Sequence, residues 1–181
     1  MPVTDPITPV FPAGYGPFAA DFTTWVTSPM TFLATKVMFR AQLQGGQSLG
    51  AGNTLAAYDT ILEDPYGGWS AAGSGSQPAN SWLAPAGCSG WYEVTLTSWT
   101  ANPANSTTDL ETVLFLDGSI YQECSGDWAV NGHAAGSCGS VPVPLLGGVD
   151  YVQGYIGTST ASSTPTTNGQ WPSIEIVWIS L

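Results

Sequence analysis

The strongest constraint on this chain is the period of its apolar residues. From Lys36 onward, runs in which apolar residues fall at every second position follow one another between turns, and no segment sustains the 3.6-residue repeat of a helix. The last run, Ile174-Glu175-Ile176-Val177-Trp178-Ile179-Ser180-Leu181, alternates and is rich in β-branched and aromatic side chains. Such a strand is tolerated only with both edges paired, because an exposed apolar edge recruits other chains. It is therefore expected in the middle of a sheet. Gly90 to Trp99 alternates the same way, with Tyr92, Val94, Leu96 and Ser98 on one face and Trp91, Glu93, Thr95, Thr97 and Trp99 on the other. Val37, Phe39, Ala41 and Leu43 alternate with Met38, Arg40 and Gln42, and Thr54 to Leu62 reads as a second strand pair.

Turn chemistry separates these runs. Asp117-Gly118 between Thr112–Leu116 and Ser119–Glu123 is a hairpin signal, since a type I′ turn needs positive φ at both central residues. Gly147-Gly148 divides Val141–Leu146 from Val149–Ile156 as two strands or one bent strand. The segments Glu63–Trp69 and Gly73–Pro78 read as a turn and a surface loop. The expected fold class is all-β, with eight or so short strands in a sandwich or jelly roll. A chain of 181 residues holds one such domain (36–181) and an appendage (1–35).

The appendage has its own character. Six of the fourteen prolines fall in it, interleaved with Val10, Phe11, Tyr15, Phe18, Phe22, Trp25, Phe32 and Leu33. That proline density favours extended backbone, while the aromatics seek a surface to bury against. The segment reads as an arm that orders by docking; the competing expectation is that it packs back on its own domain.

Charge excludes one class of partner. Thirteen Asp and Glu stand against only Lys36 and Arg40, a formal net charge of −11, so a phosphate backbone is repelled and no nucleic-acid partner is expected. No secretory leader and no run approaching ~20 apolar residues is read from the sequence, so the expectation is no membrane partner and synthesis in a cytoplasm. The eight Trp and seven Tyr suit either a core or subunit contacts.

Chemistry-bearing residues are sparse. The only histidine, His133, lies in a Gly/Ala-rich loop without an orienting partner, which argues against a nucleophilic or acid–base role. Three cysteines cannot all pair; Cys124 and Cys138 flank a Gly-bearing loop and are candidates for a disulfide in an oxidising medium. Together with His133 they fit no familiar closed zinc spacing. The carboxylate pairs Glu63/Asp64, Asp109/Glu111 and Glu123/Asp127 raise glycoside hydrolysis, but adjacent acidic residues at turns are ordinarily solvated. Glu63-Asp64-Pro65 offers Ca²⁺ ligands without the periodicity of an EF-hand. No glycine-rich loop leads into a helix to cradle phosphate. No catalytic residue, cofactor or resident metal is expected, and the protein is not read as an enzyme.

Three elements carry a family resemblance. Pro85 through Gly90-Trp91-Tyr92-Glu93-Val94, the run Val143-Pro144-Leu145-Leu146-Gly147-Gly148-Val149-Asp150-Tyr151-Val152, and the strand ending at Leu181 resemble the C1q/tumour-necrosis-factor-like jelly roll of small virion proteins of tailed bacteriophages. In the second element Val149 separates the Gly and Asp of the family's turn. Phe22 to Ala41, with Trp25-Val26, Phe32-Leu33 and Lys36–Ala41, is similar to the opening of phage minor tail or head decoration proteins. The resemblance implies a homotrimer on the outer surface of the virion head. Its partner would be the major capsid protein, met through Val10, Phe11, Tyr15, Phe18, Phe22 and Trp25. The alternative is a minor tail or fibre-tip protein whose Trp69, Trp82, Trp99 or Trp128 stacks on host glycans.

Overall fold

A computed structural model describes residues 37–101, 109–125, 133–166 and 170–180. The arm residues Val10, Phe11, Tyr15, Phe18, Phe22 and Trp25, and also Asp127 and Trp128, lie outside them. The described residues contain thirteen β-strands and no helix.

Strands β1 (Val37–Gln42), β4 (Thr60–Glu63), β7 (Gly90–Ala101), β10 (His133–Leu145) and β13 (Ser173–Ser180) make the body of one antiparallel sheet. The short β2 (Ser48–Leu49) and β12 (Ser162–Ser163) extend it beyond the end of β13. The second sheet runs β5 (Trp69–Ser70), β6 (Ser81–Leu83), β11 (Tyr151–Thr158), β8 (Leu110–Leu116), β9 (Ser119–Ser125), with β3 (Gly52–Leu55) also on β11. The chain passes repeatedly between the sheets, and the result is a C1q/TNF-like jelly roll.

Alternation decides which side chains meet between the sheets. In β7, Tyr92, Val94 and Leu96 are buried, while Glu93, Thr95 and Thr97 stay half-exposed. Strand β13 lies between β7 and β1, as its composition requires, and turns Ile174, Ile176 and Trp178 inward. From the other sheet come Trp82, Leu110, Leu114, Val152 and Ile156. An aromatic cluster closes one part of the core: Phe39 stacks on Trp69 at 5.1 Å and on Trp82 at 6.4 Å, and Trp82 meets Tyr92 edge-on at 5.8 Å. The indole of Trp82 reaches the backbone at Gly68, where an added Cβ would come within 2.5 Å of Nε1, so only glycine fits beside it.

Several expectations need correction. Thr54–Leu62 is not a strand pair: β3 and β4 part into different sheets. Val141–Ile156 forms two strands, the first of the two alternatives, and not one bent strand: β10 and β11 belong to different sheets. Strands β7 and β10 run to 12 and 13 residues rather than being short. A bulge between Val37 and Phe39 breaks the alternation of β1, so Met38 and Phe39 are both buried. The hairpin at Asp117-Gly118 forms as expected, with φ of 49° and 77° at its two central residues.

Strand β10 is an outer strand of its sheet, and β9 is the outer strand of the other. On β10, Pro142 and Pro144 are exposed; lacking N–H groups, they blunt this edge against further strand pairing. The two edges are tied together. Cys124 of β9 and Cys138 of β10 form a disulfide (S–S 2.08 Å), and the Tyr121 hydroxyl donates to the Pro142 carbonyl at 3.0 Å.

Candidate docking face

Exposed apolar side chains gather at the end of the sandwich where the chain enters β1. Val37 pairs with Val177, and just beyond it Ile179 and Trp91 are each 45% exposed. Both face outward because Trp178 and Tyr92, their neighbours in sequence, face the core. The turn from β10 to β11 adds Leu146 and Val149, at 59% and 65% exposure. Ile120 and Tyr121, after the β8–β9 turn, lie at this end too, since Asp117 accepts from the amide of Tyr151 at 3.0 Å.

The turn that presents Leu146 and Val149 is held by its own bonds. The Asp150 carboxylate accepts from the Leu146 amide at 2.8 Å, and the Gly148 amide donates to Ala84 at 2.6 Å. The Tyr92 hydroxyl donates to the Cys88 carbonyl beneath it. Asp117 and Asp150, the two carboxylates of these turns, are therefore engaged with backbone amides. Large apolar side chains concentrated in this way mark an interaction surface more often than scattered ones do. Ile179 was visible in the sequence as an outward position of an alternating strand; Leu146 and Val149 were signalled only by being apolar residues flanking a Gly-Gly turn.

Other candidates from the sequence are placed differently. Trp82 is fully buried and Trp69 is half-buried against Phe39, so neither is a free sugar platform; the aromatic signal that suggested stacking on glycans belongs to the core. Trp99 is half-exposed on the outer face of β7. Asp64 accepts from the amides of Gly68 and Trp69 at 2.9 and 3.0 Å, which assigns it to turn construction. The backbone of His133 starts β10 opposite Ala101. Among the described residues no three His, Cys, Asp or Glu side chains converge to hold a metal ion.

At the opposite end one carboxyl pair forms across strands. Glu111 of β8 hydrogen-bonds to Glu123 of β9. Desolvation, that hydrogen bond, and the charges of Glu123 and Asp109 together raise the Glu111 carboxyl above its ordinary value. The folded state thus holds this proton more tightly than the unfolded chain does. The contribution to stability is fully present below the unfolded value and is lost as pH rises through the folded one. Wild type should therefore be less stable than Glu111→Gln at pH 7, with the deficit closing as pH falls toward the ordinary Glu value of about 4.3. Parallel melting-temperature profiles for the two proteins would remove this assignment.

Asp59 behaves oppositely. Desolvation works to raise its carboxyl, but bonds from the Gln44 and Gly45 amides and the Thr60 hydroxyl outweigh it and hold it below the usual range. Arg40 pairs with Glu175 at 3.7 Å on the surface, where such a bridge adds little.

No protein-family model and no curated protein sequence matches the chain. Solved structures match in fold. Murine APRIL, in a crystal structure at pH 5.0, superposes with a TM-score of 0.56 at 10% identity, over 79% of this chain and 98% of that one. The Eiger TNF structure from S. frugiperda superposes with a TM-score of 0.50 at 12% identity, over 80% of this chain and 91% of that one. At these identities the likeness is one of architecture: the chain is similar in fold to TNF-family jelly rolls.

Proposed function

We propose that this protein is a virion structural protein of a tailed phage, a homotrimeric decoration protein on the outer head surface. The arm, residues 1–35, docks on major capsid subunits, and the jelly roll stands above them. Each trimer then acts as cement, adding interface area between neighbouring capsomers. The observation that carries this reading is the apolar end of the sandwich, from which the Pro- and aromatic-rich arm departs at Val37. Closed symmetry gives a chain with only two basic residues a way to use apolar surface without open-ended association.

The glycan-binding alternative loses its two nearest supports, because Trp69 and Trp82 are committed to the core. The acidic surface suits a protein that meets other proteins rather than nucleic acid.

Deleting residues 1–33 is expected to abolish binding to virions stripped of this protein while the domain keeps its melting transition. Undiminished binding would overturn the docking role of the arm. Copy counting on separated heads and tails by quantitative mass spectrometry tests the location: hundreds of copies on heads, in a multiple of three, support decoration, and a handful confined to tails overturns it.

A further inference from the structure

We propose that the Cys124–Cys138 disulfide is an exchange site: a small uncharged or cationic thiol enters at Cys124 Sγ, Cys138 leaves as a buried thiol, and strand β9 is released from β10. The exchange needs no virion and is independent of the function proposed above.

The two sulfurs are not equivalent. Cys138 of β10 is fully buried, whereas Cys124 is half-buried on β9, a strand whose other six residues are all exposed. Exchange proceeds by attack of a thiolate on one of the two sulfurs, and only Cys124 offers an approach from outside. The leaving sulfur has a place for its proton. The Thr112 carbonyl oxygen lies 3.1 Å from Cys138 Sγ, so the S–H that forms there finds an acceptor within the core.

The step balances in electrons and protons. A thiolate RS⁻ bonds to Cys124 Sγ as the S–S bond breaks; Cys138 Sγ keeps the electron pair and takes one proton from solvent, giving RS–S–Cys124 and a Cys138 thiol. A second RS⁻ then displaces the first from Cys124, which takes up a proton in turn. The protein gains two thiols, and RS–SR carries the oxidation away.

Charge sets the class of thiol. After Arg40 the sequence has no Lys or Arg, while Glu123 adjoins Cys124 and Glu111 stands on the neighbouring β8. An anionic thiol is therefore repelled within the Debye length of ~8 to 10 Å, and a cationic one is drawn in.

Opening the bond has a structural consequence. Strand β9 pairs with β8 alone, and the tie that remains to β10 is the bond from the Tyr121 hydroxyl to Pro142 at the surface. Ile120 and Tyr121 move with the released strand; Trp91, Leu146, Val149 and Ile179 belong to other strands and turns and stay in place.

The test treats the folded full chain with cysteamine or with glutathione at equal thiolate concentration, quenches in acid and maps the peptides by mass spectrometry. The mixed disulfide should sit on Cys124 with Cys138 as the thiol, and cysteamine should open the bond several-fold faster than glutathione, with the gap narrowing at high salt. In the opened protein β9 amides should exchange with deuterium at least tenfold faster, while those of β7 and β13 keep their protection. The Cys138→Ser variant should take up cysteamine from its disulfide, cystamine, at least tenfold faster than Cys124→Ser; the wild-type mapping decides the site even where a variant fails to fold. An adduct on Cys138, a bond that opens only in denaturant, equal rates for the two thiols, or β9 exchange unchanged by opening would each overturn the proposal.

Discussion

Trp82→Ala should cost about 3–5 kcal/mol, the range for truncating a large aromatic in a packed core, and should be the most destabilising substitution described here. The indole is fully buried, stacks at 6.4 Å on Phe39, meets Tyr92 edge-on at 5.8 Å and lies over the backbone at Gly68. Truncation to alanine removes packing from both sheets at once, because Trp82 sits on β6 while Phe39 and Tyr92 belong to β1 and β7. The surrounding strands are held by their ladders and cannot collapse into the space. Trp82→Phe should recover part of the loss. Urea titrations measure both; a loss below about 1 kcal/mol, the ordinary outcome at a surface position, would show that Trp82 is not a core residue.

Removing the disulfide should have the next largest effect on stability. Cys124 and Cys138 are 14 residues apart, and closing a loop of that size is worth about 3 kcal/mol in the chain-entropy description. The bridge joins the outer strands of opposite sheets, so its loss also frees the side of the sandwich between β9 and β10. Cys124→Ser/Cys138→Ser, or reduction, should lower stability by roughly that amount while the fold persists on the Tyr121–Pro142 bond and the core. Intact mass with and without thiol alkylation checks the bond, and denaturant melts check its worth. An unaltered midpoint would mean the two edges are held equally well without it. Cys88, buried beside the β10–β11 turn, is not disulfide-bonded, which gives the alkylation count an internal reference.

Local chemistry was legible in the sequence to the extent that it depends on neighbouring residues. Period-two alternation assigned the inward and outward faces of β7 and β13, because successive side chains of a strand point to opposite sides wherever the strand goes. Asp117-Gly118 announced its hairpin, since positive φ at both positions is a property of the turn itself. The central place of the last strand followed from its apolar edges.

What the tertiary structure alone decided was which strands share a sheet and what covers each face. Nothing in Thr54–Leu62 says that its two halves join opposite sheets, and Gly147-Gly148 does not reveal that β10 and β11 join different sheets, because sheet membership depends on distant partners. The role of Trp82 was misread for the same reason: a tryptophan beside a loop is a candidate sugar platform by sequence, and becomes core only when Phe39 and Tyr92 arrive from strands more than 40 residues before it and 10 after it. Glu111 likewise hydrogen-bonds to Glu123 across a hairpin, in addition to feeling the charge of nearby Asp109, a partner that chain distance alone does not reveal. The sequence by itself determined an all-β chain with a strong acidic excess. Only the packed sandwich gathered Trp91, Leu146, Val149 and Ile179 at the end where β1 begins, because those four side chains come from three separate stretches of chain that the fold alone brings together.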